Sequence, residues 1–116
     1  MEDKLERMFE EQKNLDTYIR NSQEKHGSGY EFSDKEWIDR ITTAIIEEAM
    51  EIKEHSNWKW WKKPKDFTRE ELKEELADLL HFWLSLCLKL GFTPEEMFEK
   101  YMEKNRKNAE RQDNGY

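Results

Sequence analysis

Residues 76–90 read LADLLHFWLSLCLKL, and this stretch decides the fold. Apolar side chains surround nearly the whole circumference of a helix here, which is typical of a helix buried on several sides. Asp78 and His81 interrupt the apolar run, and Glu75 comes just before it. Burying a carboxylate costs free energy unless it has a partner or a metal ion. These polar side chains therefore indicate that the helix contributes to a site as well as to the core.

Helical periodicity extends in both directions from this stretch. Apolar residues recur at three- and four-residue steps in four segments, and no segment has the two-residue alternation of a strand. The sequence therefore predicts an all-α bundle of four to five helices that forms a single domain over 1–116. The predicted helices cover about Glu2–Gln23, Asp34–Ser56 and Arg69–Leu90, and the fourth begins at Pro94.

Start and stop signals bound these segments. Ser33 and Thr68 each precede a glutamate by three residues, which is the pattern of a capping box. Thr93 followed by Pro94 is a strong start for the fourth helix, because proline suits the first helical position. Gly91 is suited to the left-handed residue that ends the third helix.

The composition narrows the class of protein. The chain has 116 residues, of which 35% are hydrophobic and 41% are charged, so its core is thin for a globular domain. We therefore expect a homodimer or a higher homo-oligomer to complete the core. The net charge of −7 disfavours nucleic-acid binding, and no stretch reaches the ~18 apolar residues of a membrane span. Cys87 lies in an apolar run, where we expect a buried, reduced thiol, and this fits a cytoplasmic protein without a signal peptide.

Two pairs of carboxylates stand out among the acidic residues. Glu48 and Glu51 are three residues apart in the second helix, and Glu75 and Asp78 have the same spacing in the third. Residues at this spacing share a helix face, so antiparallel packing of the two helices would bring the pairs together. Such hard oxygen ligands suit Mg²⁺, with Mn²⁺ as an alternative. A single Glu-x-x-Glu is usually a solvated surface, but two pairs inside apolar helices favour a metal site.

A basic and aromatic loop follows the second helix. Residues 58–65 read WKWWKKPK, with four lysines, three tryptophans and no acid. Indole rings stack on bases and ammonium groups bind phosphates, so this loop favours a phosphorylated ligand with an aromatic base. The alternative is a structural tryptophan cluster with its lysines in water. Lys104, Asn108 and Arg111 would share a face near the chain end, unless that end is a fraying helix.

These motifs resemble the dimeric all-α dUTPases, within the wider MazG-like superfamily of nucleoside triphosphate pyrophosphohydrolases. Glu-x-x-Glu followed by Glu-x-x-Asp marks the superfamily broadly, whereas the tryptophan run and the Asp-x-x-His-Phe continuation point to the dUTPase branch. The resemblance covers residues 12 to 116. The matching runs are EAME (48–51), NWKWWK (57–62), ELADLLHF (75–82) and KNxxNxxRQxxGY (104–116).

The resemblance implies a Mg²⁺-dependent dUTP pyrophosphatase that produces dUMP and pyrophosphate, with dUDP as a further candidate substrate. Glu48 would also be the catalytic base that orients the attacking water. The implied metal ligands are Glu48, Glu51, Glu75 and Asp78. The implied base and sugar contacts are Gln12, Asp16, Trp58, Trp61, His81 and Phe82. The implied phosphate contacts are Lys62, Lys104, Asn105, Asn108, Arg111 and Tyr116, some of them across a subunit boundary.

Three other hypotheses remain open at this point. Within the superfamily, the alternative is a house-cleaning pyrophosphohydrolase that acts on another or a modified nucleotide. Asp78-x-x-His81 also resembles a ligand pair of di-iron bundles, although such bundles take the motif from two helices and the sequence has no second copy. The last alternative is a non-enzymatic helical protein that uses the tryptophan loop as an interaction surface.

Overall fold

The computed structural model describes residues 1–115, in which four helices and no strand occur. The all-α prediction is confirmed, and the first three helices begin and end within two residues of their predicted bounds. The helices are α1 (Lys4–Lys25), α2 (Asp34–Glu54), α3 (Arg69–Lys89) and α4 (Pro94–Asp113).

The helix ends follow the sequence signals, with one difference. Ser33 begins α2 with a complete capping box, as predicted, and Thr93, the predicted cap of α4, forms one as well. At the start of α3, the hydroxyl of Thr68 accepts from the N–H of Glu71 and donates to its carboxylate. The reciprocal bond from the backbone N–H of Thr68 to the Glu71 carboxylate, which would complete a capping box, is not formed there. Gly91 has the expected left-handed φ of +77° just after α3.

Helix α3 is the central element, because it packs against both α2 and α1, while α4 packs mainly on α1. The ammonium group of Lys89 lies 4.6 Å from the ring centre of Trp37. At the other end of the same pair of helices, Nε2 of His55 lies 2.6 Å from a carboxylate oxygen of Glu75. An early residue of α2 thus meets a late residue of α3, and the reverse. The two helices are therefore antiparallel, which is the packing under which the two carboxylate pairs were expected to meet.

The core is small and lies between α1, the second half of α3 and the start of α4. Phe9, Leu84 and Cys87 form its buried cluster, and the ring of Trp83 meets Phe9 edge-on at 6.1 Å. Cys87 is a free thiol, and burial raises its pKa, which lowers its reactivity. The radius of gyration is 17.8 Å, against roughly 13 Å for a compact domain of 100 residues.

Burial along α3 is less even than its apolar sequence predicts. Leu84 and Cys87 are buried, but Leu76 and Leu80 remain 48% and 38% exposed, because α1 and α2 cover only part of the first half of the helix. No single helix of residues 1–115 is long and apolar enough to cross a membrane, and α3 with α4 would meet that criterion only as a pair bent by 113°.

Candidate active site

A cleft of about 470 Å³ opens between α1, α2 and α3. Helix α1 supplies apolar and amide side chains, α2 supplies a carboxylate, and α3 supplies a mixed polar face. The cleft is lined by Gln12, Leu15, Asp16, Ile19, Glu48, Asp78, His81, Phe82 and Ser85. Six of these nine residues were predicted from the sequence as site residues: two of the four predicted metal ligands, Glu48 and Asp78, and four of the six predicted base and sugar contacts.

Glu48 is a partly buried carboxylate of the cleft. Its Oε2 is buried and has no hydrogen-bond partner among residues 1–115. Burial raises the pKa of Glu48, and the negative charges of Glu51 and Asp78 raise it further. The predicted approach of the α2 and α3 carboxylates is therefore observed for these three residues.

Glu75 contacts a residue that the sequence did not single out. Nε2 of His55 lies 2.6 Å from Oε2 of Glu75, and the His55 ring packs on Phe67 with 4.1 Å between ring centres. The same oxygen of Glu75 is buried and forms no hydrogen bond in the described chain. The two side chains are therefore close enough for an ion pair, but their contact lacks hydrogen-bond geometry. The only sequence signal for His55 is its position directly after α2.

The same carboxylates are the candidate ligands of a metal ion. Across residues 1–115, no group of three or more histidine, cysteine, aspartate or glutamate side chains is arranged as a ready metal shell. The donor chemistry nevertheless fits a hard cation, because Oε2 of Glu48 is a buried oxygen that forms no hydrogen bond within that range, and Glu51 and Asp78 add negative charge nearby. A divalent ion would satisfy this oxygen and relieve the repulsion among the three carboxylates. The four-carboxylate Mg²⁺ site stays a prediction.

A hydrogen-bond network in the same cleft joins α1 to α3. Nε2 of Gln12 donates to Oδ1 of Asp16 at 2.9 Å, and Oγ of Ser85 donates to Oδ2 at 2.9 Å. Because the carboxylate accepts only, the Gln12 amide must point its oxygen towards His81, whose Nδ1 lies 2.6 Å away. Nδ1 of His81 is therefore the donor in that bond. Gln12 and Ser85 are only 5% and 9% exposed, so the two side chains that donate to Asp16 are largely closed to water.

Ser85 is a site residue that the sequence analysis missed. It follows His81 by four residues and Asp78 by seven, so all three share one face of α3. This spacing of polar residues within an apolar run is the signal that could have found it.

Two hydrogen bonds between Asn57 and Lys65 join the ends of the basic loop. Asn57 has a left-handed φ of 50°, and its amide donates to the carbonyl of Lys65 at 3.1 Å and accepts from the N–H of the same residue at 2.9 Å. The loop borders a pocket of about 260 Å³. Its lining includes the predicted phosphate contact Lys62 and comprises Glu54, Asn57, Lys59, Lys62, Lys63, Lys65 and Phe67.

The two predicted base-stacking tryptophans lie outside the lining of the acidic cleft. Trp58 is partly buried and meets Trp61 edge-on with 5.9 Å between ring centres, while Trp61 is 57% exposed. The ammonium group of Lys53 lies 4.8 Å from the ring centre of Trp58. Edge-on packing favours the structural tryptophan cluster for Trp58, and the role of both residues in base binding stays a prediction.

The predicted phosphate contacts on α4 do not line this cleft in the described chain. Lys104 lines a separate apolar groove of about 450 Å³ together with Leu5 and Trp83. The prediction that residues of α4 contact phosphates of a neighbouring subunit is untested. Of the other members of the set, Asn105, Asn108 and Arg111 are exposed on α4, and Tyr116 lies outside the described residues.

Comparisons with known proteins identify the family of this chain. A family described as dUTPase matches residues 4–90 and 84–116. A dCTP pyrophosphatase of Enterobacteria phage T4 is 52% identical over 46 residues, which are 40% of this chain and 27% of that protein. A dCTP pyrophosphatase of Enterobacteria phage LZ5 is 39% identical over 51% of this chain and 41% of its own length. The chain thus spans less than half the length of these curated relatives. No solved structure matches significantly.

The fold and the cleft together define an all-helical bundle whose carboxylates from two antiparallel helices border a partly buried pocket. The family match extends over nearly the whole chain, so this chain belongs to the all-α dUTPase family. The resemblance found in the sequence is confirmed.

Proposed function

We propose that this chain hydrolyses a pyrimidine deoxynucleoside triphosphate to the monophosphate and pyrophosphate with the help of Mg²⁺. Family membership suggests dUTP as the substrate, and dCTP is the second candidate because the two matching phage proteins are dCTP pyrophosphatases. The observation that carries the proposal is the buried Oε2 of Glu48, which makes no hydrogen bond within the described chain although the charges of Glu51 and Asp78 act on the same carboxylate.

The proposed catalytic base is Glu48. Its raised pKa makes the carboxylate a better proton acceptor, and its buried oxygen is free to accept a hydrogen bond from a water. The water would lose its proton to Glu48 as its oxygen forms the new bond to phosphorus, and the bond to the leaving group would break.

The proposed metal ligands are the four predicted carboxylates. When bound, Mg²⁺ neutralises the charge that develops on the phosphate oxygens and the leaving group. His55 packs between Glu75 and Phe67, so in this proposal it keeps Glu75 oriented on its side of the site. The proposed ligands are Glu48, Glu51, Glu75 and Asp78.

The proposed base and sugar side of the cleft is formed by α1 and α3. The buried amide of Gln12 is fixed in orientation by its two hydrogen bonds, and Phe82 forms an apolar wall with Leu15 and Ile19. A fixed amide next to apolar walls suits the edge and the faces of a pyrimidine ring.

The proposed active unit is a homodimer or a higher homo-oligomer. This proposal is supported by the large apolar side chains that the isolated chain leaves exposed on α1, α2 and α4. It also explains how the basic residues of α4 would reach phosphates, since Lys104 lies away from the cleft of its own chain.

A nucleotide panel tests the proposal. The protein is incubated with Mg²⁺ and each of dUTP, dCTP, dTTP, dATP and dGTP, and the products are separated by anion-exchange chromatography. We expect equal amounts of monophosphate and pyrophosphate from dUTP or dCTP, at least about tenfold faster than from the purine nucleotides, and loss of the reaction in EDTA. Release of orthophosphate, or hydrolysis without a pyrimidine preference, would overturn the proposal.

Two variants test whether the activity measured in the panel depends on the carboxylate of the cleft. Glu48→Gln keeps the shape of the side chain but removes its basicity, so kcat should fall by at least about 100-fold. Glu47→Gln changes the adjacent, exposed carboxylate, which lies outside the cleft lining, and should retain most of the activity. Equal activities of the two variants would argue against Glu48 as the base.

A further inference from the structure

Asp16 is a charged residue of the cleft that the proposed hydrolysis does not use. It is partly buried on α1 and lines the cleft beside Gln12 and Phe82. Gln12 donates to one of its carboxylate oxygens and Ser85 donates to the other, each at 2.9 Å. Because both donors are themselves nine-tenths buried, rotating the Asp16 carboxylate would break two protected hydrogen bonds. Its orientation is therefore fixed.

The hydrogen-bonding groups left over at this point are mainly acceptors. Each oxygen of the Asp16 carboxylate has two lone pairs, so one remains on each after the bonds from Gln12 and Ser85. The amide oxygen of Gln12 already accepts from His81 at 2.6 Å, whereas its amide nitrogen retains one N–H. A base edge at this position would therefore find a negatively charged acceptor beside a single amide donor.

We infer that Asp16 selects a pyrimidine that carries an amino group at C4, so that dCTP is hydrolysed in preference to dUTP. This inference rests on the proposed function. Cytosine presents an amino donor at C4 and an acceptor at N3, which complement the carboxylate of Asp16 and the remaining N–H of Gln12.

Uracil presents the opposite pattern at the same two ring positions. Its C4 carbonyl would face the Asp16 carboxylate, acceptor against acceptor, and its N3–H would face the N–H of Gln12. The fixed carboxylate cannot turn to avoid this, because Ser85 and Gln12 hold both of its oxygens. Selection against uracil thus comes from a repulsive contact as well as from a lost hydrogen bond.

The test compares kcat/KM for dCTP and dUTP in three proteins: the natural sequence, Asp16→Asn and Glu10→Gln. The asparagine keeps the size of the side chain but can present an N–H to the C4 carbonyl of uracil. Glu10 is an exposed carboxylate on the same helix that lies outside the cleft, so its variant is the matched control. Circular dichroism verifies that each variant is folded.

We expect the natural sequence to favour dCTP by about 10- to 100-fold, the range of discrimination given by good hydrogen bonds to a base edge. Asp16→Asn should lower the ratio of dCTP to dUTP by at least about tenfold, and Glu10→Gln should leave it unchanged. A purely structural role of Asp16 would lower both values of kcat/KM together and would not change their ratio. A second measurement needs no variant: dCMP should bind the natural protein more tightly than dUMP in calorimetry.

The outcomes separate this inference from the proposed function. If the natural protein prefers dUTP, uses the two nucleotides equally, or keeps its ratio in a folded Asp16→Asn variant, the inference is wrong while the pyrophosphohydrolase proposal stands. If the natural protein hydrolyses neither nucleotide, both are wrong.

Discussion

The carboxyl group of Glu48 occupies a place where its negative charge opposes folding. Its Oε2 is buried, and Glu51 and Asp78 add like charges nearby, so the charged form is disfavoured by desolvation first and by repulsion second. Residues placed at a cost to stability are typical of functional sites. The same arrangement is stabilising once a cation is bound, because the cation reverses the sign of the local interaction.

Because the charge of Glu48 destabilises the folded state, Glu48→Gln should change the unfolding temperature in a pH-dependent way when EDTA removes divalent cations. The folded state raises the pKa of Glu48, so it binds the proton more tightly than the unfolded chain does. The stabilisation from this group is therefore complete below the ordinary glutamate pKa and is lost as pH rises through the folded value. Because glutamine mimics the protonated form, the variant should unfold at a higher temperature than the natural protein at pH 7 and at the same temperature near pH 4.

Thermal unfolding followed by circular dichroism at the two pH values measures this effect. The control is Glu47→Gln, an exposed neighbour, whose change in the free energy of unfolding should stay within about 0.5 kcal/mol. A Glu48→Gln variant that is no more stable than the natural protein at pH 7 would contradict the prediction.

Single residues also show how far sequence analysis reaches. Glu48 and Asp78 were found because carboxylates interrupt apolar helices, and this signal is local. The contact of Glu75 with His55 depends on how the chain leaves α2 and returns into α3, which no spacing within one helix encodes. The bond from Ser85 to Asp16 joins residues far apart in sequence, so only the packing of α1 on α3 reveals it.

At the scale of the elements, helix ends were more predictable than helix partners. Capping residues act within one turn, so Ser33 and Thr93 could be recognised from a few letters of sequence. The partial cap at Thr68 shows the limit, because the same pattern of residues is present there and the reciprocal backbone bond is not formed. The apolar run of α3 predicted burial on several sides, but the isolated chain has only α1 and α2 to cover its first half.

The cap of α4 gives a prediction at this scale. Thr93→Ala removes the acceptor for the Glu96 N–H, so it should lower the free energy of unfolding by about 1 kcal/mol. Thr43→Ala is the matched control, because Thr43 lies exposed within α2 and its hydroxyl bonds only the carbonyl of Asp39 one turn earlier. Alanine is the better helix former there, so this variant should be neutral or slightly stabilising.

Urea denaturation of both threonine variants at equal protein concentration provides the comparison. Equal losses of stability for Thr93→Ala and Thr43→Ala would show that the capping interaction is not what begins α4.

At the scale of the whole molecule, the isolated chain leaves many large apolar side chains exposed. Ile46 is 60% exposed, Tyr101 is 68% exposed, and the radius of gyration exceeds that of a compact domain of this size. Composition predicted a thin core, but it could not indicate which helix faces stay open, because that depends on the crossing of α1, α2 and α3. We therefore expect self-association to cover these faces.

Analytical ultracentrifugation tests this expectation. At micromolar concentrations the mass should be at least twice the 14.3 kDa of one chain. The unfolding temperature should also rise with protein concentration, because dissociation accompanies unfolding. A single-chain mass together with a concentration-independent unfolding temperature would contradict a stable oligomer.

The binding of Mn²⁺ is the most direct test of the shared carboxylate site of α2 and α3. A titration followed by electron paramagnetic resonance compares the natural protein with Glu48→Gln and with the exposed control Glu47→Gln. Since cation affinity follows the number of charged ligands, we predict saturable binding that Glu48→Gln weakens by at least about tenfold and Glu47→Gln leaves nearly unchanged. Equal affinities of all three proteins, or no binding at millimolar Mn²⁺, would contradict the carboxylate site.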